Sequence, residues 1–250
     1  MKAMILAAGL GTRLRPLTDD RPKALVEVGG RTLLEIALTR LRAFGIREVI
    51  VNTHHYADMI LKCLEANDNF GMNIEISREE ILLDTGGGLK KAAHFFLEDS
   101  VDSQEPFILY NVDVISTIDL RRMMRFHTEQ DALATLAVQD RETSRYLLFD
   151  EHGKLCGRRA GRDGSAEMVR SARQAQALAF SGIHVVSPHL LTKMEEEGAF
   201  SIIAAYMRLA AQGEKIVAFR ADEYYWRDLG RPENVLQAAR DMESGKYSAT

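Results

Sequence analysis

The chain has 250 residues, with 32 Lys and Arg against 36 Asp and Glu, which gives a formal net charge of −4. This mild acidity argues against a nucleic-acid partner, which usually meets a strongly basic domain. No apolar run nears the roughly 20 residues of a membrane span, and two distant cysteines, Cys63 and Cys156, exclude a disulfide scaffold.

In chain order, residues 3–8 form a continuous apolar run ended by glycines, the pattern of a buried parallel strand. The run is too short for a signal-peptide core and is followed at once by Arg13 and Arg15, so a cytoplasmic protein is expected. Thr32-Leu-Leu-Glu35 reads as a capping box opening a helix that ends before Gly45. A strand over 48–52, a helix over 56–66, a strand over 73–77 and a helix over 88–97 follow. Strands are next predicted at 106–110 and 132–138, with a helix over 119–130 between them. This alternation predicts an α/β fold, a Rossmann-like three-layer arrangement whose mixed, mostly parallel sheet carries helices on both faces.

Beyond 140 the rhythm changes. Residues 145–149 and 154–158 flank a hairpin turn, 161–174 reads as a polar surface loop, and 178–186 as a strand. Pro188 suits the first turn of a helix; 201–212 and 232–242 are helical, with a strand at 215–219 between them. With no repeat and no linker-like composition, a single domain over 1–250 is expected. Residues 141–250 then elaborate the ligand side of the sheet built by residues 1–140.

Gly9-Leu-Gly11-Thr12-Arg13 lies at the carboxyl end of the first strand, where open α/β sheets bind ligands. Glycines there let backbone N–H groups approach a phosphate closely and form an anion nest. Neither a P-loop nor a dinucleotide fingerprint fits: there is no Gly-Lys-Ser/Thr, and Leu14 stands where a third glycine belongs. From Gly11 to Arg31, five basic residues (Arg13, Arg15, Arg21, Lys23, Arg31) face three acidic ones (Asp19, Asp20, Glu27). The segment is therefore locally +2 in an acidic protein, either an anion site or a solvated loop.

Asn111-Val-Asp113 ends the strand at 106–110, and positions 111 and 113 share one face if that strand continues. Trp226-Arg-Asp228-Leu-Gly230 supplies a second carboxylate. Each Asp is either a cap or turn residue, or a ligand to Mg²⁺, which takes one or two carboxylates plus phosphate oxygens. Asp84-Thr-Gly-Gly-Gly88 is either a structural turn or a loop that lets a flat ring reach the backbone. Adjacent His54 and His55 point apart in a strand, so surface or packing roles are expected for them.

The string Leu6-Ala-Ala-Gly-Leu-Gly-Thr-Arg-Leu-Arg-Pro-Leu-Thr18, followed by Arg21-Pro-Lys23-Ala-Leu, closely resembles the N-terminal motif of the sugar-phosphate nucleotidylyltransferases. The resemblance implies an enzyme that joins a nucleoside triphosphate to a sugar 1-phosphate, with Mg²⁺ as cofactor, residues 1–140 as its nucleotide-binding half and 141–250 as its sugar-binding elaboration. Arg13 and Lys23 inherit the catalytic phosphate contacts, and Ala8, Gly9, Gly11 and Thr12 the nucleotide loop. Thr85, Gly86 and Gly87 inherit the base contact, Asn111, Ser181 and Gly182 the sugar contacts, and Asp113 and Asp228 the metal.

Val112 departs from the family's usual glycine; it is strained if φ is positive and acceptable if the backbone is extended. The family's Glu-Lys-Pro element is also absent, and Gly157-Arg158-Arg159-Ala160 stands in its region. The overall pattern resembles most the uridylyl-transferring members whose acceptor carries a lactyl carboxylate, which Arg158 or Arg159 is expected to meet. Guanylyl transfer to a mannose- or heptose-type phosphate, or cytidylyl transfer to phosphocholine, is the alternative. A non-catalytic nucleotide-sugar sensor or regulatory subunit is the rival class; the joint presence of Arg13, Lys23, Asp113 and Asp228 speaks against it.

Overall fold

The structure, a computed structural model, describes residues 1–97 and 105–247. The first half runs β1 (Lys2–Leu6), β2 (Glu27–Val28), β3 (Arg31–Thr32), α1 (Leu33–Ala43), β4 (Glu48–Thr53), α2 (Ala57–Ala66), β5 (Asn73–Arg78), α3 (Asp84–Lys91) and α4 (Ala93–Leu97). It continues through β6 (Phe107–Asn111), β7 (Val114–Ser116), α5 (Leu120–Gln130) and β8 (Ala134–Gln139). The second half adds β9 (Arg145–Phe149), β10 (Leu155–Ala160), β11 (Ala166–Met168), β12 (Gln176–Val186), α6 (His189–Thr192), α7 (Ile202–Ala211), β13 (Ile216–Arg220), β14 (Trp226–Asp228) and α8 (Pro232–Glu243).

One ten-stranded sheet is ordered β11-β10-β9-β12-β6-β1-β4-β5, with β8 beside β12 and β13 beside β8. The strands of the first half, β6-β1-β4-β5, are parallel, as their helical connections require. β12 then runs antiparallel to β6, β8 and β9, so the sheet is mixed. Strand residues alternate between two cores. Ala3, Ile5, Val49, Val51, Ile108 and Tyr110 meet α1, α2, α5 and α8 on one face. Met4, Ile50, Phe107 and Leu109 meet α3, α4, α6 and α7 on the other. Two buried faces explain why these strands read as continuous apolar runs, and they give the expected three layers. No described helix is long and apolar enough to cross a membrane.

Local chemistry accounts for several boundaries. Thr32 caps α1 by accepting from Glu35 N (3.1 Å), but the Glu35 carboxylate turns to Arg31 Nε (2.8 Å) instead of closing the box. Asp119 caps α5 through Arg121 N and Arg122 N.

Two expectations need correction. The predicted helix at 88–97 is two helices, and the first begins at Asp84, so Gly86, Gly87 and Gly88 are helical and buried. Packing overrides their poor helix propensity. A Cβ on Gly87 would stand 2.4 Å from Gly198 O, and one on Gly86 2.3 Å from the Phe200 ring. The predicted loop at 161–174 contains β11, because Gly157–Arg159 offer a strand edge to residues 166–168.

The same packing makes Gly87→Ala destabilising although alanine favours helices, because a backbone oxygen cannot swing away. A loss of about 1–3 kcal/mol in urea unfolding is expected, and an unchanged midpoint would refute the contact. A second prediction concerns two buried imidazoles. His127 Nδ1 lies 2.9 Å from Thr135 Oγ1 and His184 Nδ1 2.9 Å from Tyr206 Oη. Burial pushes their pKa values down to about 4 and about 3. Unfolding frees both to take up protons, so their contribution to stability is full above about pH 6.5 and falls as the pH drops toward 4, by about 1.4 kcal/mol per unit for each ring. The urea midpoint should fall between pH 7.5 and 5.5, and His127→Gln should flatten that fall.

Candidate functional site

The chain leaves β1 at Leu6 and is caught at once. Ala7 N donates to the buried Asn52 Oδ1 (2.7 Å), Asn52 Nδ2 donates to Glu79 Oε1 (2.7 Å), and Leu83 N donates to Glu79 Oε2 (2.9 Å). This buried relay fixes the start of the glycine loop against β4 and the segment that enters α3. Beyond it, Ala8 is buried while Gly9, Thr12 and Arg13 are exposed. Gly11 turns the loop at φ +65°, and Thr18 Oγ1 holds its carbonyl at 2.9 Å.

The local +2 charge divides in space. Arg15 pairs with Asp19, Arg21 with Asp20 and Arg31 with Glu35. Arg13 has no carboxylate partner among the described residues, and Lys23 is ion-paired with Asp113, both side chains only 13% exposed.

Asn111 and Asp113 do not share a strand face: β6 stops at Asn111, and Val112-Asp113 turns the chain into β7. Val112 keeps a negative φ and is buried in the core, so its branched side chain fits there without strain. β7 pairs antiparallel with β14, placing Asp228 opposite Val114, and Leu229 N donates to Asp113 O (2.7 Å). This two-stranded ribbon brings Asp113 and Asp228 to one place from positions 115 residues apart in the chain.

Asp228 Oδ1 accepts from Gly230 N (2.5 Å). A Cβ on Gly230 would stand 2.6 Å from that oxygen and 3.1 Å from Arg13 Nη2, so Arg13 converges on the same spot. Four segments thus deliver Arg13, Lys23, Asp113 and Asp228 together. No group of three or more His, Cys, Asp and Glu side chains with metal-site spacing occurs among the described residues. A two-carboxylate donor set fits a magnesium ion that takes its remaining oxygens from phosphate and water.

Beside this cluster lies a cavity of about 990 Å³ whose wall includes Asn111, Gly182, Trp226 and Asp228. It opens where β12 changes partners. Residues 176–179 pair with β9 and 183–186 with β6, and the register with β8 slips between Phe180 and His184. Gly182 makes this bulge at φ +73°, where a Cβ would press within 2.7 Å of Val114 Cγ2 and 3.0 Å of Asn111 Nδ2.

Not every expected residue reaches the cavity. Ser181 is fully buried behind the wall, where its carbonyl accepts from Trp226 Nε1 (2.7 Å). The glycine loop, Arg13, Lys23, Thr85, Gly86 and Gly87 lie outside the wall. Thr85 Oγ1 accepts from Ile202 N at the start of α7 (2.9 Å), and Gly86 and Gly87 press on the loop at 198–200. His54 Nδ1 bonds Glu79 O (2.9 Å) and His55 stacks near Tyr56, both packing roles. Cys63 is half-buried on α2, and Cys156 is buried.

Arg141, which carries no motif signal, lies over the Trp226 ring at 3.6 Å and donates through Nη2 to Phe180 O (2.7 Å). Burial lowers its pKa to about 10, against the opposing charge of Asp228. Of the two arginines expected at the sugar, Arg158 donates to Glu167 (2.7 Å) at the surface, and Arg159 lies 5.5 Å from the Tyr146 ring centroid.

The Nucleotidyl transferase family model matches residues 2–155. The chain is 35% identical over 245 residues to an N-acetylmuramate alpha-1-phosphate uridylyltransferase of Caulobacter vibrioides, covering 94% of each chain. It is 28% identical to a mannose-1-phosphate guanyltransferase of Yarrowia lipolytica, covering 94% of this chain and 62% of that enzyme. Among solved structures, HddC from Yersinia pseudotuberculosis complexed with GMP-PN superposes with a TM-score of 0.75 at 22% identity, over 96% of this chain and 99% of that one. A putative glucose-1-phosphate thymidylyltransferase from Bacillus anthracis gives a TM-score of 0.77 at 18% identity, over 96% and 94%. At these identities the structural likeness speaks for the fold alone. With the family model spanning more than half of its length, the chain belongs to the nucleotidyl transferase family, among the enzymes that act on sugar phosphates.

Proposed function

We propose that this enzyme transfers a uridylyl group from UTP to N-acetylmuramate 1-phosphate, giving a UDP-sugar of the kind used in cell-wall synthesis and releasing pyrophosphate in the cytoplasm. The observation that carries the reading is the convergence of Arg13, Lys23, Asp113 and Asp228 beside a cavity large enough for a sugar. The 35% likeness to the Caulobacter enzyme supports the choice of base and sugar. Guanylyl transfer is the second reading, because the chain is also similar to guanylyltransferases of Yarrowia lipolytica and Mycobacterium tuberculosis.

The chemistry needs no protein nucleophile, since the sugar phosphate is ionised at neutral pH. Its oxygen attacks the α-phosphorus of the nucleotide, forming a new P–O bond as the bond to the pyrophosphate oxygen breaks, and both electrons leave with pyrophosphate. Catalysis is then positioning and charge neutralisation. Arg13, exposed and without a carboxylate partner among the described residues, meets the triphosphate and the departing pyrophosphate. Lys23, poised between the glycine loop and Asp113, contacts both substrates' phosphates. Asp113 and Asp228 would hold Mg²⁺, which supplies Lewis-acid stabilisation of phosphate charge. The glycine loop from Ala8 to Thr12 faces the triphosphate, and Asn111 and Gly182 face the sugar. Thr85, Gly86 and Gly87 are assigned to the base side, where α3 enters. The reading takes 1–250 as one catalytic unit with small-molecule partners and no nucleic acid.

Pyrophosphate release measured across UTP, dTTP, GTP and CTP with N-acetylmuramate, mannose and glucose 1-phosphates tests the assignment. Turnover should be highest with UTP and N-acetylmuramate 1-phosphate; a preference for GTP with mannose 1-phosphate would replace it. Lys23→Met and Asp228→Asn should each lower kcat by about 10²-fold or more while thermal unfolding stays cooperative. Near-normal magnesium-dependent turnover by Asp228→Asn would overturn the metal assignment.

A further inference from the structure

Charge on the cavity wall is unevenly spent. Of the five arginines that line it, Arg227 is bonded to Asp241 (2.8 Å), Arg158 to Glu167 (2.7 Å), and Arg145 is exposed to solvent at the start of β9. Arg141 and Arg159 have no carboxylate partner among the described residues, and the Nε of each is buried without any hydrogen-bond acceptor. A buried guanidinium N–H left unpaired is costly, more so than a neutral donor. Both side chains are nonetheless held in place. Arg141 is fixed by the Trp226 ring and Phe180 O, and Trp226 is itself pinned to Ser181 O. Arg159 lies over Tyr146. Two anchored cations with unused donors on one wall form a site for an anion.

The phosphate of the acceptor does not account for that anion. The reacting phosphates are met by Arg13 and Lys23, neither of which lines the cavity. The cavity therefore offers positive charge beyond what the reacting phosphates need, at a place where the body of the sugar would lie. We infer that Arg141 and Arg159 form a specificity site for a second anionic group, a carboxylate carried by a substituent of the acceptor's sugar, with Trp226 as its platform. The inference rests on the sugar-phosphate reading above and adds the residues that select an acidic sugar over a neutral one. Arg158 is excluded from that role by its bond to Glu167.

The test compares N-acetylmuramate 1-phosphate with the same amino sugar 1-phosphate lacking the lactyl ether. Because Trp226 is the only tryptophan in the chain, its fluorescence reports binding independently of turnover. Wild type should prefer the acidic sugar in both kcat/KM and fluorescence titration. Arg141→Gln and Arg159→Gln should each cut the acidic-to-neutral ratio about 30-fold, mainly through KM of the acidic sugar, and Arg159→Lys should recover part of it. Equal treatment of the two sugars by wild type would overturn the inference while leaving nucleotidyl transfer intact. So would variants that lose both sugars in proportion, since the arginines would then be reading the shared 1-phosphate. Failure of the functional reading has a different signature, the absence of turnover with every sugar 1-phosphate and nucleotide, and it would remove both.

Discussion

The short antiparallel pairing of β7 with β14 is the constraint on which the site depends. Each strand has only three residues, yet their register fixes Asp228 opposite Val114, and the Leu229 N to Asp113 O bond locks the turn beside it. Without that ribbon the two carboxylates belong to unrelated parts of the chain. With it, they share one end of the central sheet, next to Lys23 and within reach of Arg13. The ribbon holds because its side chains are shared with the larger core: Val114 and Ile115 are buried in it, and Trp226 packs against it. Backbone bonds alone would not keep six residues paired in water.

A second constraint acts on the opposite side of the loop. Asn52 and Glu79 are both almost fully buried, and each polar atom that the relay uses has a partner, so the first loop residue has one available position. Buried polar groups with satisfied bonds specify geometry more sharply than apolar contacts do, because a misplaced donor costs more than a misplaced methyl. A Cβ on Gly88 would strike this pair at 2.7 Å, so the third glycine of the Thr-Gly-Gly-Gly run serves the relay.

The three-layer architecture was legible because its cause is local. Strands buried on two faces read as apolar runs, and caps such as Thr32 and Asp119 announce the helices that follow. The glycine loop was legible too, and with it Arg13 and Lys23. The misses share a physical origin in contacts distant along the chain. The start of α3 lay hidden because glycines disfavour helices, and only the approach of the loop at 198–200 reveals why they are there. β7 and β14 are too short to show periodicity; each exists only as the other's partner. β11 is a polar edge strand recruited by its neighbour. Arg141 left no trace, since what sets it apart is a ring 85 positions further along. Val112 raised a doubt that backbone geometry resolves, because the turn it occupies does not demand a positive φ.

The contact between α3 and the start of α7 bears on how the molecule moves. Gly86 N and Gly87 N both bond Phe200 O, Phe200 N bonds Leu83 O, and Thr85 caps the first turn of α7. The elements nearest the glycine loop and those lining the cavity are therefore riveted together, on a sheet that runs unbroken beneath both. A shift of α3 must therefore carry the start of α7 with it, and with that turn Ser201 and Ile203 on the cavity wall.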